Sequence, residues 1–337
     1  MARRDELRWG ILSTARIGVK KVIPGIQRGE RCRVVALASR DGDRAVSVAQ
    51  ALGIPKAHSS YEDLLADPEV DAVYVPLPNH LHAEWTIAAA KAKKHVLCEK
   101  PLAMTAADAQ RMADACRTAG VVLMEAFMYR LHPSWRAVCQ LVASQRIGEL
   151  RAVQSWFSYF NDDAADIRNI LEFGGGALYD IGCYSVNLSR MLFESEPAAV
   201  QASVVRDPDS GVDVLTSGIL EFERGVATFT CSTRVEPAQR VHVFGTRGRI
   251  SVGIPFNIPP DRPVNVYLTA GGDPPVSPNT QTLTFGPADQ YAIEAGAFAA
   301  AVLDGGAVPL PPEDSVANLR VIERLFEAAL QSGPAHR

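Results

Sequence analysis

The first 125 residues alternate short apolar runs with amphipathic stretches, and this alternation limits the possible folds more than any other feature. The apolar runs are nearly continuous, which is typical of parallel strands covered on both faces. The strand patterns are Leu7–Leu12, Arg33–Ser39, Asp71–Val75, His95–Cys98 and Val121–Met124. The helix patterns are Ile17–Gln27, Asp43–Leu52, His80–Ala92 and Ala106–Ala119. This order predicts an α/β fold with a doubly wound parallel sheet that binds ligands at the carboxyl ends of its strands.

The pattern changes after about residue 126. Helix patterns occur at Pro133–Gln145, Ala177–Leu192, Ala288–Leu303 and Ser315–Gln331. Strand patterns occur at Arg151–Phe160, Val200–Arg206, Leu215–Phe222, Val226–Arg234, Arg240–Phe244, Arg249–Val252 and Val264–Thr269. Loops are predicted at Ile254–Pro263 and Gly271–Pro278. We therefore predict a dinucleotide-binding domain over 1–125 and an α+β domain over 126–337 for substrate binding and oligomerisation, with a mostly antiparallel sheet.

Composition excludes several classes of function. The net charge of the 337 residues is −4, without the clustered basic residues of a nucleic-acid-binding protein. No apolar run approaches the roughly 18 residues of a membrane span, and Met1–Glu6 lacks a signal-peptide pattern. The six cysteines are scattered, with no metal-ligand spacing. We expect no metal, no membrane, free thiols and a cytoplasmic location.

A phosphate-binding turn is predicted between the first strand and the first helix. The glycine fingerprint of dinucleotide-binding folds survives here only as Ser13-x-Ala15-x-x-Gly18. Ser13 must adopt a backbone conformation that glycine accepts more easily. The pyrophosphate would bind at the helix N-terminus, and the predicted contacts are Ser13, Thr14, Ala15, Arg16 and Ile17. An ordinary strand–turn–helix is the alternative.

The second strand ends in Ser39 and Arg40 instead of the acidic residue that usually binds the NAD ribose. A guanidinium suits the 2′-phosphate of NADP, and Arg44 lies one turn further on. We therefore predict NADP, with NAD as the alternative, because Asp41 is available to bind a ribose hydroxyl.

Five segments carry a family resemblance: Trp9–Gly18, Pro78–His82, Glu99–Pro101, Met124–Arg130 and Gly174–Tyr184. Through them the whole chain resembles the Gfo/Idh/MocA oxidoreductases, and within that family the dihydrodiol dehydrogenases and NADP-dependent D-xylose dehydrogenases. The resemblance implies an N-terminal Rossmann domain and a C-terminal domain with an open-faced sheet. The chain departs from the family in its substituted glycine motif and at Tyr184, where inositol dehydrogenase-like members carry histidine.

The resemblance also implies the catalytic residues Lys100, Tyr184 and Asp180. Lys100 would bond the reacting hydroxyl and place positive charge beside a developing alkoxide. Asp180 and Tyr184 are four apart on a helical pattern, and therefore share a face. Tyr184 would donate or accept the proton, since a nearby lysine lowers a tyrosine pKa from about 10, and Asp180 would orient one of the two. A packed core tyrosine is the alternative.

Weaker predictions concern the surroundings of these residues. The cofactor contacts beyond the first turn are predicted to be Pro76, Leu77, Asn79, His82, Glu99 and Lys100. The substrate contacts are predicted to be Tyr159, Phe160, Asn161 and Arg168. The glycines at 174–176 predict a flexible loop.

The sequence therefore predicts an NADP-dependent oxidoreductase that moves a hydride between the nicotinamide and a carbinol or carbonyl carbon of a sugar or cyclic polyol. Aldose or dihydrodiol oxidation and keto-sugar reduction both stay open. A catalytically silent NADP-binding regulator is the alternative, and it would be expected to lack Lys100 or Tyr184. Burial of the strand face bearing Phe229 and Cys231 would leave the other face to a second subunit, so we expect a homodimer or homotetramer.

Overall fold

The computed structural model describes residues 5–270 and 280–331, so the loop predicted at Gly271–Pro278 lies outside the described residues. The chain forms two compact units. The first comprises Met1–Met128 and Asp289–Val316, and the second comprises Tyr129–Ala288 and Ala317–Arg337. No helix of the described segments is long and apolar enough to span a membrane.

The first unit is built on a parallel sheet of six strands in the order β3-β2-β1-β4-β5-β6. The strands are β1 (Leu7–Leu12), β2 (Cys32–Ala38), β3 (Lys56–His58), β4 (Ala72–Val75), β5 (His95–Cys98) and β6 (Leu123–Glu125). The helices are α1 (Ile23–Arg28), α2 (Gly42–Ala51), α3 (Tyr61–Ala66), α4 (His82–Lys91), α5 (Ala106–Ala119) and α8 (Gln290–Asp304). This strand order is that of the Rossmann fold, which confirms the predicted fold class.

Burial explains why these apolar runs form central strands. Every residue of β4 is fully buried, as are Trp9 and Ile11 of β1, because helices cover both faces of the sheet. Local signals fix the helix ends. Thr105 accepts a hydrogen bond from the Asp108 amide at the start of α5, and Gly120 ends that helix in the left-handed conformation.

The first unit differs from the predicted domain range because the chain returns to it after the second sheet. In α8, Phe298 packs on Trp9 with ring centroids 5.1 Å apart. A Cβ built on Gly25 of α1 would lie only 2.4 Å from the Cβ of Tyr291. This close packing makes α8 part of the first unit, whereas the predicted division placed all residues after 126 in the second.

The second unit contains an eight-stranded sheet in the order β14-β13-β12-β11-β7-β10-β9-β8. The strands are β7 (Leu150–Phe160), β8 (Ala199–Arg206), β9 (Asp213–Phe222), β10 (Gly225–Ser232), β11 (Arg234–Gly245), β12 (Gly248–Val252), β13 (Val264–Ala270) and β14 (Gln281–Phe285). The helices are α6 (Pro133–Ala143), α7 (Cys183–Phe193) and the part of α9 (Pro312–Gln331) from residue 317 onward. Only the β7–β10 pair is parallel among the strand pairs described, so the prediction of a mostly antiparallel sheet is confirmed.

The two faces of this sheet differ in character. On the face covered by helices, Phe229 and Cys231 are buried, as predicted. Gly218 leaves room there for the Phe229 ring and for Leu325 of α9. The opposite face carries a cross-strand row of Arg240, Trp156, Thr230, Ser217 and Ser203. A concave cavity of about 810 Å³ lies over this row.

Candidate active site

The turn after β1 meets the conformational demand expected of Ser13. This residue has φ of 129°, a region that side chains other than glycine rarely enter. Its hydroxyl accepts a hydrogen bond of 2.9 Å from the Ala15 amide, which offsets part of the strain. Thr14 is buried, whereas Arg16 is exposed. Ala15 and Ile17 are half-buried and open the helical stretch that leads into α1.

The end of β2 presents a hydroxyl and a guanidinium. Ser39 is buried and its hydroxyl accepts from the Asp41 amide at 3.2 Å, while Arg40 is exposed. The Asp41 carboxylate caps α2 by accepting from the Arg44 amide at 3.0 Å. Because this carboxylate serves the helix, the ribose-binding role left open for Asp41 loses support. The Arg44 guanidinium bonds the Thr14 carbonyl at 3.3 Å, which joins the two turns.

Tyr61 is a functional candidate that the sequence reasoning missed. Burial raises the pKa of its phenol, and the Arg40 guanidinium and the Ser13 side chain partly oppose this rise. Its ring meets Trp85 edge to face at 4.8 Å. The residue lies on α3, which has six residues and was not predicted. A hydrophobic residue on so short a helix gives no sequence signal for a role in ligand binding.

The turn after β5 holds Lys100 between fixed neighbours. The Tyr74 hydroxyl donates to Glu99 Oε1 at 2.6 Å, and the Lys100 amide donates to Glu99 Oε2 at 3.3 Å. The Lys100–Pro101 peptide bond is cis. Beyond it, the Leu102 amide donates to Glu125 at 2.7 Å. Lys100 lies within this turn and is half-buried. The turn follows the carboxyl edge of the sheet, where such folds bind their ligands.

His82 does not have the environment expected of a cofactor contact. Its ring is fully buried and lies 2.9 Å from the Pro101 carbonyl and 2.8 Å from the Leu77 carbonyl. Burial lowers the pKa of its imidazole, although both carbonyls act in the opposite direction. The predicted direct contact therefore needs correction, because both ring nitrogens face the backbone of the loops after β4 and β5.

The other residues predicted after β4 lie close to this carboxyl edge. Pro76 and Leu77 are buried and follow the strand directly. Asn79 is half-buried and begins a short 3₁₀ turn, Asn79–Leu81, before α4. Together with Glu99 and Lys100, these residues belong to the first unit.

In the second unit, Asp180 lies in a π-helical turn, Leu178–Gly182, that continues into α7. π-Helical turns are rare and are frequent at functional sites. One oxygen of its carboxylate, Oδ2, accepts from the Tyr159 hydroxyl at 2.5 Å and from Arg168 Nε at 3.2 Å. Asp180 is thus joined to two of the predicted substrate residues.

Tyr184 packs in an aromatic cluster. Its ring centroid lies 5.8 Å from those of Tyr129 and Phe157 and 5.2 Å from that of Phe256. The residue is 5% exposed. This cluster matches the alternative of a packed tyrosine and at the same time fixes the ring. The packing is compatible with both roles of Tyr184, a core tyrosine and the residue that donates or accepts a proton.

The remaining predicted substrate residues do not share one surface. Phe160 follows Tyr159 on β7, points to the opposite face of the sheet and is 58% exposed. The Asn161 carbonyl accepts from the Arg234 guanidinium and from the Asn169 side chain. The structure therefore separates Phe160 from the Asp180 group.

The glycines at 174–176 are packed, so the prediction of a flexible loop is wrong. All three are buried. The amides of Gly175 and Gly176 donate to the carbonyls of Ile170 and Arg168. Gly176 has φ of 117°, and a Cβ there would lie 2.0 Å from Asp213 Oδ1. Asp213, which no sequence pattern indicated, bonds the Leu178 amide at 2.7 Å.

No group of three or more His, Cys, Asp or Glu residues is placed to hold a metal ion within 5–270 and 280–331. None of the six cysteines, all within these ranges, forms a disulfide.

Comparison with known proteins establishes the class. Residues 7–127 match the model of an oxidoreductase family with an NAD-binding Rossmann fold, and residues 135–251 match the GFO/IDH/MocA C-terminal domain. The chain belongs to the Gfo/Idh/MocA oxidoreductase family, which confirms the resemblance.

Among its relatives is a D-xylose 1-dehydrogenase (NADP(+)) from Haloferax volcanii, 44% identical over 95% of this chain and 97% of the relative. A trans-1,2-dihydrobenzene-1,2-diol dehydrogenase from Mus musculus is 34% identical over 73% of this chain and 74% of its own length. A crystal structure of a 3-ketoreductase from Actinomadura kijaniata, in complex with NADP and TDP-benzene, superposes with a TM-score of 0.89 at 30% identity, covering 96% of this chain and 98% of that one.

Proposed function

We propose that this oxidoreductase interconverts a CH–OH group and a C=O group of a sugar or cyclic polyol, with NADP as its redox partner. The observation that carries the proposal is the fixed turn after β5. Tyr74 and Glu125 hold its two ends through hydrogen bonds of 2.6 and 2.7 Å. Lys100 lies between them at the ligand-binding edge of a Rossmann sheet.

The residues after β1 and β2 fit NADP. The helix N-terminus that follows Ser13 offers backbone N–H groups to a pyrophosphate, and Arg40 is exposed beside buried Ser39. The Asp41 carboxylate is held at the start of α2, where it accepts from the Arg44 amide. When bound, NADP supplies or accepts the hydride. The protein's part is to hold it through these turns and through Pro76, Leu77, Asn79 and Glu99.

Three residues are assigned the chemistry at the substrate. Lys100 places an ammonium charge against the oxygen that becomes negative. Tyr184 gives a proton to that oxygen in reduction and takes one in oxidation, and its packed ring restricts the directions that its hydroxyl can face. Asp180 orients one of these two groups, the Lys100 ammonium or the Tyr184 hydroxyl. Relatives that act on D-xylose, a dihydrobenzenediol and a deoxy keto-sugar nucleotide support a sugar or polyol substrate.

The roles are tested by substitution. A panel of D-xylose, trans-1,2-dihydrobenzene-1,2-diol and a dTDP-linked keto-sugar, followed at the nicotinamide absorbance band, identifies the substrate and the favoured direction. Lys100→Met and Tyr184→Phe should then each lower kcat by roughly two orders of magnitude or more, with NADP binding retained. Lys91→Met, on an exposed helix end, and Tyr179→Phe, in the helical turn before Tyr184, are matched controls. Full turnover in both test variants would refute the assignment, and no turnover of any compound would favour a silent NADP-binding regulator.

The preference for NADP has its own test. The ratio of kcat/KM with NADPH to that with NADH should exceed one in the wild-type protein and fall on Arg40→Ala, since this change removes the proposed phosphate ligand. Asp41→Asn, which keeps a capping oxygen for the Arg44 amide at the start of α2, should not reverse the preference. A wild-type preference for NADH would contradict the proposal.

The exposed face of the second sheet supports a homodimer. It carries the half-exposed side chains of Trp156, Ile219 and Tyr267 among serine, threonine and glutamine residues, with Arg240 and His242 beside them, a mixture that suits a protein interface. Trp156→Glu should shift the mass measured by light scattering from dimer to monomer, whereas Val46→Glu, on an exposed position of α2, should not. A monomeric wild-type protein would refute this. The lack of disulfides among the six cysteines, all of which lie in the described segments, supports a reducing cytoplasmic location.

A further inference from the structure

Two side chains from different parts of the second unit converge on one oxygen of Asp180. The Tyr159 hydroxyl and Arg168 Nε both donate to Oδ2, at 2.5 and 3.2 Å. Tyr159 comes from β7, and Arg168 comes from a 3₁₀ turn, Ile167–Asn169. The Asp180 carboxylate is only 14% exposed. A carboxylate removed from water to this extent needs such donors.

Each donor is itself fixed. Pairing of β7 with β10 and β11 holds the strand that carries Tyr159, and its register turns this side chain to the helix-covered face. Arg168 Nη1 bonds Asp166 Oδ1 at 3.3 Å, and the Asp166 side chain in turn caps the 3₁₀ turn through the Arg168 amide. The two donors therefore reach Asp180 from rigid backbone.

The protonation chemistry of the donors suits support more than catalysis. Burial and the negative charge of Asp180 raise the pKa of the Tyr159 phenol far above its ordinary value, so that it stays a donor and does not exchange its proton near neutrality. The charge of Asp180 raises the pKa of Arg168. Since Arg168 already serves two carboxylates, its charge is largely compensated and is poorly suited to recognising an anionic group of a substrate.

We infer that Tyr159 and Arg168 are positioning residues that act through Asp180, and not substrate contacts. By holding Oδ2, they fix the plane and direction of a carboxylate one helical turn before Tyr184. This inference rests on the proposed function in one respect, the catalytic role of Asp180. It also distinguishes the two tyrosines of the site, because Tyr184 is left as the one that exchanges a proton.

The test is a set of conservative variants assayed with the panel compound of highest kcat/KM. Tyr159→Phe removes one hydroxyl and keeps the ring, so kcat should fall roughly 10- to 100-fold, as small misplacements of catalytic groups do, while NADP binding is retained. The thermal midpoint should fall by only a few degrees, because one buried hydrogen bond is lost. Arg168→Lys, which keeps the charge without the planar guanidinium, should retain more activity than Arg168→Met. Tyr179→Phe, which removes a hydroxyl from the same helical turn, is the matched control.

A double-variant cycle separates action through Asp180 from a merely structural role. With Asp180→Asn already in place, adding Tyr159→Phe should reduce kcat by less than about threefold, because the carboxylate that it positions is gone. Multiplicative effects of the two changes, or an unchanged kcat in Tyr159→Phe, would overturn the inference. If either of these results were found while Lys100→Met still abolished turnover, the positioning role would be refuted but the proposed function would be retained.

Discussion

Asp213 gives a prediction whose size follows from its surroundings. The side chain is 2% exposed, and its Oδ2 accepts from the Leu178 amide at 2.7 Å and from the Thr216 hydroxyl at 2.8 Å. Burial raises the pKa of this carboxyl from 3.8 to about 6, and the two hydrogen bonds only partly oppose the effect. The folded protein therefore keeps a proton on Asp213 at pH values where the unfolded chain has lost it.

The sign and size of the effect follow from linkage. Because the folded-state pKa lies above the unfolded one, the contribution of Asp213 to the free energy of unfolding is fully present below about pH 4 and is lost as the pH rises through about 6. A shift of about two units corresponds to roughly 3 kcal/mol once both states are ionised. Asp213→Asn removes this titration. The stability of the variant relative to wild type should therefore improve by about 2 kcal/mol between about pH 4.5 and about pH 8.

Urea-induced unfolding of both proteins across this pH range measures the difference directly. The constant offset between them reports the altered hydrogen bonding, whereas the slope against pH reports the proton. Asp261→Asn, at an exposed carboxylate paired with Arg262, controls for the loss of one negative charge. Parallel stability curves for wild type and Asp213→Asn would refute the reasoning.

Three further predictions concern stability. Gly176→Ala should cost at least about 2 kcal/mol in urea unfolding, because its φ is 117° and its Cβ would strike Asp213; the open position Gly253 is the control, and equal costs would contradict the argument. Phe229→Ala should cost about 3–5 kcal/mol by the same measurement, since the ring is 3% exposed; a cost below about 1 kcal/mol would mean that the site collapses. Thr105→Ala should cost about 1 kcal/mol in a thermal melt through loss of the α5 cap, and Thr105→Ser should retain most of it.

The sequence predicted those elements whose signals are local. β1, β5 and α5 begin and end where predicted, because apolar runs bounded by charged residues, or a threonine cap and a terminal glycine, mark their ends. In β10, strict alternation placed Phe229 and Cys231 on the buried face. Such patterns depend only on neighbouring residues, and a single sequence contains them in full.

Features that depend on distant contacts could not be predicted in this way. α8 joins the first unit through packing on α1, although some 260 residues separate Gly25 from Tyr291. Asp213 meets the Leu178 amide across 35 positions, and nothing near Asp213 in the sequence distinguishes it from a surface aspartate. The contact between the buried His82 ring and the Pro101 carbonyl likewise joins residues that are distant in the sequence. The position of His82 after β4 had instead suggested a contact with the cofactor.

Ser13 shows how a nucleotide-binding turn can do without its glycine. The left-handed backbone penalises any Cβ, and the serine recovers part of that cost because its own hydroxyl accepts a hydrogen bond from the Ala15 amide. Alanine at this position would keep the penalty and lose the compensation, whereas glycine would have neither. The position thus favours a short side chain that carries its own acceptor for the Ala15 amide, or no side chain at all, and searches that insist on the glycine pattern will overlook chains built in this way.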